Sequence, residues 1–426
     1  MMNRTQQPAI TEPIHLHLHL QPVRHFTLDN GVPVYAVEAG AQEVVQLELV
    51  FHAGNWYEQK NIQAATTNFL LKNGTHTKNA FELNEHFEMY GAYLNRGCYH
   101  ERASLSLHSL TKYLPQLLPA MSEILSESVF PEEELNIYRQ NQKQRLAVNL
   151  KKADFVANRM IDAYLFGEQH PYGKYSNPAD YDALTREDLL QFYAQYYLKG
   201  NCTIFIAGKL PANVEHLLNQ FFGQLPLNGT ALAKPDFSIT PSAQKKYSVM
   251  NDANGVQAAI RLARPFPNRH HPDFLKAQLL NALFGGFFGS RLMSNIREDK
   301  GYTYGIHSYI QAHQQQSAWM VTTEAGRDVS RATIEETYKE MLDLQKEPVT
   351  AEELSLIKNF MIGTLLGDVD GPFHIIERWK SYILNEMPAD YFYTSIQTIK
   401  DTTGEELQVL AKKYLNPDDF YELEVI

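Results

Sequence analysis

LTREDLLQFYAQYYL, residues Leu184–Leu198, comes back as TTGEELQVLAKKYL at Thr402–Leu415. Each copy sets a threonine ahead of acidic residues and a leucine. In such a helix start the hydroxyl caps the first turn and the carboxylates meet the positive end of the helix dipole. Superposing Thr185 and Leu189 on Thr403 and Leu407 takes an offset of 218 residues. A second pair of landmarks, PEEELNIYRQNQ from Pro131 and TAEELSLIKNFM from Thr350, superposes Glu134–Leu135 on Glu353–Leu354 at 219. Acidic helix starts are common, but two that keep one register mark an internal duplication.

Working outward, each repeated helix runs into a β-rich stretch, NCTIFIAG from Asn201 and FYELEVI from Phe420. VVQLELVF from Val44, ERASLSLHSL from Glu101 and SAWMVTTEA from Ser317 alternate as half-buried strands do. Helical spacing in NAFELNEHFEMYG and FLKAQLLNALFGG separates them. The expected fold class is α+β, with two homologous domains of similar size, each a mixed β-sheet with helices packed on it. Residues 1–222 form the first domain and 246–426 the second. Residues 223–245, rich in Pro, Ser, Gly and Lys, read as a linker.

At 426 residues the chain is too long for one core. It is 44% hydrophobic and 20% charged with a net charge of −11, which argues against nucleic acid as a partner because phosphate binding needs a basic face. Two cysteines, Cys98 and Cys202, cannot build a zinc-finger framework and read as free thiols of a reducing compartment. The opening MMNRTQQPAITEP lacks the apolar core of a signal peptide, and no apolar run approaches a membrane span. A cytoplasmic protein without a membrane segment is expected.

Three stretches carry groups that could do chemistry. In IHLHLHL, His15, His17 and His19 share one face of a period-2 strand, with Leu16, Leu18 and Leu20 on the other. Alternate imidazoles can share a metal, but no carboxylate or cysteine follows at ligand spacing, which favours an edge strand with histidines toward water. Cys98 and His100, two apart, read as a packed thiol and a surface imidazole. The third stretch, LFGGFFGSRLMSNIREDKGYTYGIHSYI (Leu283–Ile310), is the most informative. Gly285, Gly286 and Gly289 form a short loop rich in Phe, open either to substrate recognition or to tight packing. Arg297 closes a helix and Tyr304 lies seven residues on, in a strand. Across that corner a guanidinium and a phenol can converge on a carbonyl oxygen. The bland alternative pairs Arg297 with Glu298 or Asp299 and half-buries Tyr304.

FTLDNGVPVYAVE, FHAGNWYE, LKNGT, GAYLNRGCYHERASL, LTREDLLQFYAQYYLKGNCTIFIAG and SRLMSNIREDKGYTYGI together resemble the pitrilysin/insulinase family of zinc peptidases, from about Phe26 onward. The resemblance implies that the two domains face each other across a chamber. It also implies a His-x-x-Glu-His helix ending at Gly74-Thr75, which here reads Ala65-Thr66-Thr67-Asn68-Phe69. Both imidazoles are absent, and the general base is replaced by Asn68, whose amide cannot accept a proton. The third ligand, a Glu, is expected near Gln144–Arg145, yet no acidic residue occurs from Leu135 through Ala153. No zinc or other cofactor is therefore expected in this chain. Ile62, Ala65 and Phe69 read as the helix's apolar stripe toward the core.

By the same resemblance, Arg297 and Tyr304 match residues that grip substrate across the chamber. The chain looks like the non-catalytic subunit of a heterodimeric peptidase. Its partner would be a zinc-motif relative, its substrate an extended peptide, with a homodimer open to the isolated chain. The competing readings are a scaffolding or peptide-binding protein of the same fold, and an enzyme with a relocated metal at His15, His17 and His19 or at Cys98 and His100.

Overall fold

The computed structural model describes residues 11–228 and 233–426. The chain divides into two compact units. An N-terminal unit comprises Gln21–Ala243 and Gly371–Ser381; a C-terminal unit comprises Gln244–Asp370 and Tyr382–Ile426, together with the residues up to Leu20.

The N-terminal unit holds a six-stranded mixed sheet of β1 (Arg24–Thr27), β2 (Pro33–Glu38), β3 (Val44–Phe51), β4 (Tyr93–Cys98), β5 (Ala103–Leu110) and β6 (Cys202–Gly208). Its spatial order is β1-β2-β6-β3-β5-β4, with β2 and β6 parallel. The C-terminal unit holds β7 (Lys246–Val249), β8 (Gln257–Phe266), β9 (Thr303–Gln311), β10 (Ser317–Gly326) and β11 (Tyr421–Val425), ordered β7-β11-β8-β10-β9, with β7 and β11 parallel. From β2 to β6 and from β7 to β11 the two orders are the same. The duplicated element is thus a five-stranded sheet with a parallel pair on one side and an edge strand, β4 or β9, on the other.

The repeated helix starts are formed as the sequence predicts. Thr185, Thr350 and Thr403 each accept the backbone N–H of an acid three residues on (Asp188, Glu353, Glu406), whose carboxylate reaches back in a reciprocal box. Each such cap contributes about 1 kcal/mol. In the C-terminal unit the core centres on Trp319, which meets the Phe266 ring edge-on at 5.4 Å.

Four expectations change. β3 does not alternate: Val45 through Phe51 are all buried, Gln46 and Glu48 included. Residues of the helix Pro372–Leu384 cover that polar face. Lys380 Nζ lies 2.6 Å from Glu48 Oε2, Gln46 Nε2 donates to Glu377 Oε1 at 3.3 Å, and Trp379 Nε1 donates to Gln21 O at 2.8 Å. The stretch 223–245 is not a free linker, because 233–243 strap the N-terminal unit. Thr240 and Ser242 N–H groups donate to Phe166 and Tyr164 carbonyls, and Pro235 O accepts the buried Trp56 Nε1–H at 2.7 Å. Gly167, at φ +96°, is needed there, since a Cβ would stand 2.9 Å from Thr240 O. Residues 229–232 of that stretch lie outside the described residues.

The third change is at IHLHLHL, which is extended but not a strand. Pro13–His15 form a 3-10 turn, and Ile14 N–H donates to Asn359 Oδ1 at 3.0 Å. The alternation itself survives: His15, His17 and His19 are exposed, Leu20 is buried and Leu18 packs on the C-terminal core. The fourth change concerns the helix that should carry a metal.

Candidate functional site

That helix spans Gln63–Leu70, and its buried face is polar. Gln63, Thr66, Thr67 and Asn68 are buried with Ala64 and Leu70, while Ala65 and Phe69 are exposed and Ile62 is only partly covered. The expected stripe of Ile62, Ala65 and Phe69 is therefore wrong. The polar face can turn inward because Gln63, Thr67 and Asn68 find hydrogen-bond partners there. Asn68 Nδ2 donates to Ser104 O at 3.2 Å and to Tyr197 OH at 3.1 Å, Thr67 Oγ1 donates to Gln63 O at 2.8 Å, and Gln63 Nε2 donates to Asp188 O at 2.7 Å. The helix start is held by Glu58, whose Oε2 accepts Ala64 N–H at 3.1 Å and whose Oε1 lies 2.5 Å from Lys174 Nζ. Burial raises the Glu58 pKa against that attraction. Ile62 sits at φ +65°, a left-handed conformation that costs a β-branched residue about 1–2 kcal/mol.

The open face, positions 65 and 69, offers a methyl and a ring where two imidazoles would be needed. The Phe69 ring lies against Tyr138 at 4.8 Å, and the Arg96 guanidinium stands 4.5 Å from its centroid. Arg96 Nη1 also donates to Phe69 O and, at 3.4 Å, to Asn73 Oδ1. Burial pushes the Tyr138 phenol up to about 12, so it stays protonated at neutral pH. Gln144 and Arg145 are exposed on the helix Glu132–Asn149, whose nearest acid to this corner, Glu134, accepts Asn73 Nδ2 at 2.7 Å. These donors do not fit zinc, which takes imidazole, carboxylate or thiolate. Among the described residues no group of three or more His, Cys, Asp or Glu is placed to hold a metal ion. Burial pushes the Cys98 thiol up to about 12, with Glu58 adding to the shift, and His100 packs edge-on against Tyr172 at 5.1 Å. Arg96, Tyr138 and Tyr197 escaped the sequence reading because each is a lone residue in an ordinary strand or helix pattern.

The second corner belongs to the C-terminal unit. The wide helical turns of Met293–Asp299 end at Gly301, φ +66°, and β9 follows. Arg297 Nε donates to the Tyr304 carbonyl at 3.0 Å, its Cζ lies 4.7 Å from the Phe288 ring, and Nη1 stands 3.7 Å from Glu298 Oε1. The Tyr304 side chain is not packing, since the residue is 95% exposed. Both residues line a groove of about 690 Å³ with Glu298, Tyr302, Thr303 and Glu324. The structure thus brings Arg297 to the backbone of Tyr304, and among the described residues the phenol takes no hydrogen-bond partner.

Of the three glycines, Gly285 is buried against β9, where a Cβ would stand 2.7 Å from Ser308 Cβ and 2.8 Å from Leu292 Cδ1. Ser308 Oγ in turn donates to Asn281 Oδ1 at 2.7 Å and accepts Trp319 Nε1–H at 2.8 Å. A Cβ on Gly286 would meet Asn281 O at 3.2 Å, and one on Gly289 the Phe287 ring at 2.8 Å. Gly285 serves close packing.

A duplicated α+β fold that keeps the peptidase helix and lacks its donors defines a peptidase-like chain without the peptidase's ligands. The family model described as "Insulinase (Peptidase family M16)" matches residues 34–176, and that described as "Peptidase M16 inactive domain" matches residues 183–361. The chain belongs to the insulinase family and lacks its catalytic motif. It is 23% identical over 351 residues to the "Uncharacterized zinc protease YmxG" of Bacillus subtilis, covering 81% of this chain and 84% of that one. Over 399 residues it is 23% identical to the "Non-peptidase homolog YmxG" of Helicobacter pylori, covering 91% and 90%. A crystal structure of a "peptidase M16 inactive domain" from Pseudomonas fluorescens superposes with TM-score 0.86 at 25% identity, covering 95% of this chain and 98% of that one.

Proposed function

We propose that this chain is the non-catalytic, substrate-binding subunit of a two-chain zinc peptidase, completed by a partner that carries the His-x-x-Glu-His helix. The observation that carries the reading is the contrast between an exposed Tyr304 beside a tethered Arg297 and the absence of ligands at Ala65, Asn68 and Phe69. In the partner's site, zinc would activate water. This chain's part would be to hold the carbonyl oxygen of an extended peptide through the Arg297 N–H groups and the Tyr304 O–H. The chain alone would then have no peptidase activity. Two unpaired thiols, Cys98 and Cys202, support a reducing compartment, the cytoplasm. Among the described residues no helix is long and apolar enough to cross a membrane.

The test is co-purification with the zinc-motif relative made by the same cell, followed by peptide cleavage. The pair should cleave and each chain alone should be slow or inactive. A relative that cleaves equally fast without this chain overturns the reading. A second reading, a peptide-binding scaffold with no peptidase role, is favoured by the non-peptidase relative from Helicobacter pylori. It predicts binding to the same partner with no change in its rate.

A further inference from the structure

We propose that the face of the N-terminal unit where the metal donors are missing reads negative charge, with Lys72 and Arg96 taking a carboxylate of an extended peptide laid along the edge of β4. The inference rests on the peptide-binding reading above and names the kind of peptide.

Three observations converge on it. β4 ends its sheet and has no strand on its outer side, where Asn95 Oδ1, which accepts Arg96 N–H at 3.0 Å, would give way to an added strand, and alternate side chains of such a strand fall on one face. Arg96 shares a face of β4 with Leu94 and Cys98 and reaches the helix side, where it meets Phe69. The face beside that edge therefore presents one guanidinium, within reach of a side chain that a docked peptide turns to that side.

The second observation is that both cations are short of partners. Arg96 spends Nη1 on Phe69 O and Asn73 Oδ1, while Nε and Nη2 take no acceptor among the described residues. Lys72, next to Asn73, donates to nothing described. Among the described residues neither cation has a carboxylate within the 4.0 Å of an ion pair. This occurs in a chain with 49 Asp and Glu against 38 Lys and Arg. Both residues are partly covered, and burial lowers both pKa values. For Lys72 the neighbouring Arg96 lowers it further, while exposed Glu88 pulls the other way. Two adjacent, half-desolvated cations repel each other, and an incoming carboxylate relieves that repulsion while adding charge-assisted hydrogen bonds.

The third observation is the frame. Tyr93, 64% exposed, and Phe69, 40% exposed, offer apolar surface to residues flanking the charged one. Arg96's contact with the end of the helix uses one of its nitrogens and leaves Lys72 without a role, so helix capping does not account for the pair. The carboxylate could be an Asp or Glu side chain or a chain terminus.

The experiment uses the full chain and pools of short fluorescent peptides, random except for a fixed central pair. Three amidated pools carry Glu-Glu, Gln-Gln or Lys-Lys; a fourth carries Gln-Gln with a free C-terminal carboxylate. Binding is read by anisotropy at about 50 mM and about 300 mM salt. The Glu-Glu pool should bind about tenfold tighter than the amidated Gln-Gln pool. That preference should shrink at the higher salt and fall to about twofold or less in Lys72→Gln/Arg96→Gln, with Arg96→Lys retaining part of it. A gain confined to the free-carboxylate pool supports the site with the chain terminus as its ligand. Equal binding of all pools overturns the inference and leaves the peptide-binding reading standing. Failure of every pool to bind overturns both. A Glu-Glu preference that survives in the folded double variant overturns the assignment to these residues. The pools compared on the unaltered chain decide the matter even where a variant fails to fold.

Discussion

β4 and β9 are the same strand of a duplicated sheet, and they have been put to opposite uses. Each is an edge strand, and each is entered from a helix through a left-handed glycine, Gly91 at φ +59° and Gly301 at φ +66°. On β4, Arg96 folds inward, seals the helix end at Phe69 and closes the face on which a metal would sit. On β9, Arg297 is held to the backbone of Tyr304, and the phenol stands out into solvent. The backbone corner is shared and the side chains differ: at β4 one nitrogen of the guanidinium is tied to the helix end, while at β9 the phenol takes no hydrogen-bond partner among the described residues.

The difference can be broken most severely at the open corner's floor. Gly285→Ala puts a methyl against Ser308 and Leu292 in the layer that supports β9. It should cost about 2 kcal/mol, read as a lowered midpoint in denaturant titration, with the Trp319 indole reporting locally. Acid should separate the two regions next. Burial, with His100 adding, lowers the His170 pKa to about 4, and its Nδ1 accepts Tyr172 N–H at 3.1 Å. The unfolded state therefore binds the extra proton first. The contribution is complete above about pH 6.5 and is lost as pH falls toward 4. Melting followed from pH 7 to 4 should show the N-terminal unit weakening, and His170→Asn should flatten the slope. A smaller effect is expected at the closed corner. Phe69→Ala removes a half-exposed ring from between Tyr138 and Arg96 and should cost about 1 kcal/mol by thermal denaturation.

How much of this could be read beforehand depends on range. The capping boxes at Thr185, Thr350 and Thr403 are local, so the duplication and the α+β class were legible from them. That the chain lacks the family's catalytic motif was legible too, since no His-x-x-Glu-His precedes the landmark Gly74-Thr75. What escaped was long-range. Gln46 and Glu48 look like a solvent face until Glu377 and Lys380 arrive from 331 and 332 residues away. The exit of Leu20 and the strap 233–243 likewise depend on contacts that no local periodicity records. At the site, Asn68 looked like a lost base on an apolar helix. Its burial against Ser104 and Tyr197 makes it instead a structural amide in a polar face.

The proposed function rests on a division of labour: metal donors are missing at one strand's corner, and the proposal gives its twin's corner, with Arg297 and Tyr304, the grip on a scissile carbonyl. The most direct trial is the turnover of the reconstituted pair carrying Arg297→Ala, and separately Tyr304→Phe, against the unaltered pair. A fall of about a hundredfold in kcat, with pairing and fold intact, is the outcome expected. Unchanged turnover in both variants would contradict the account.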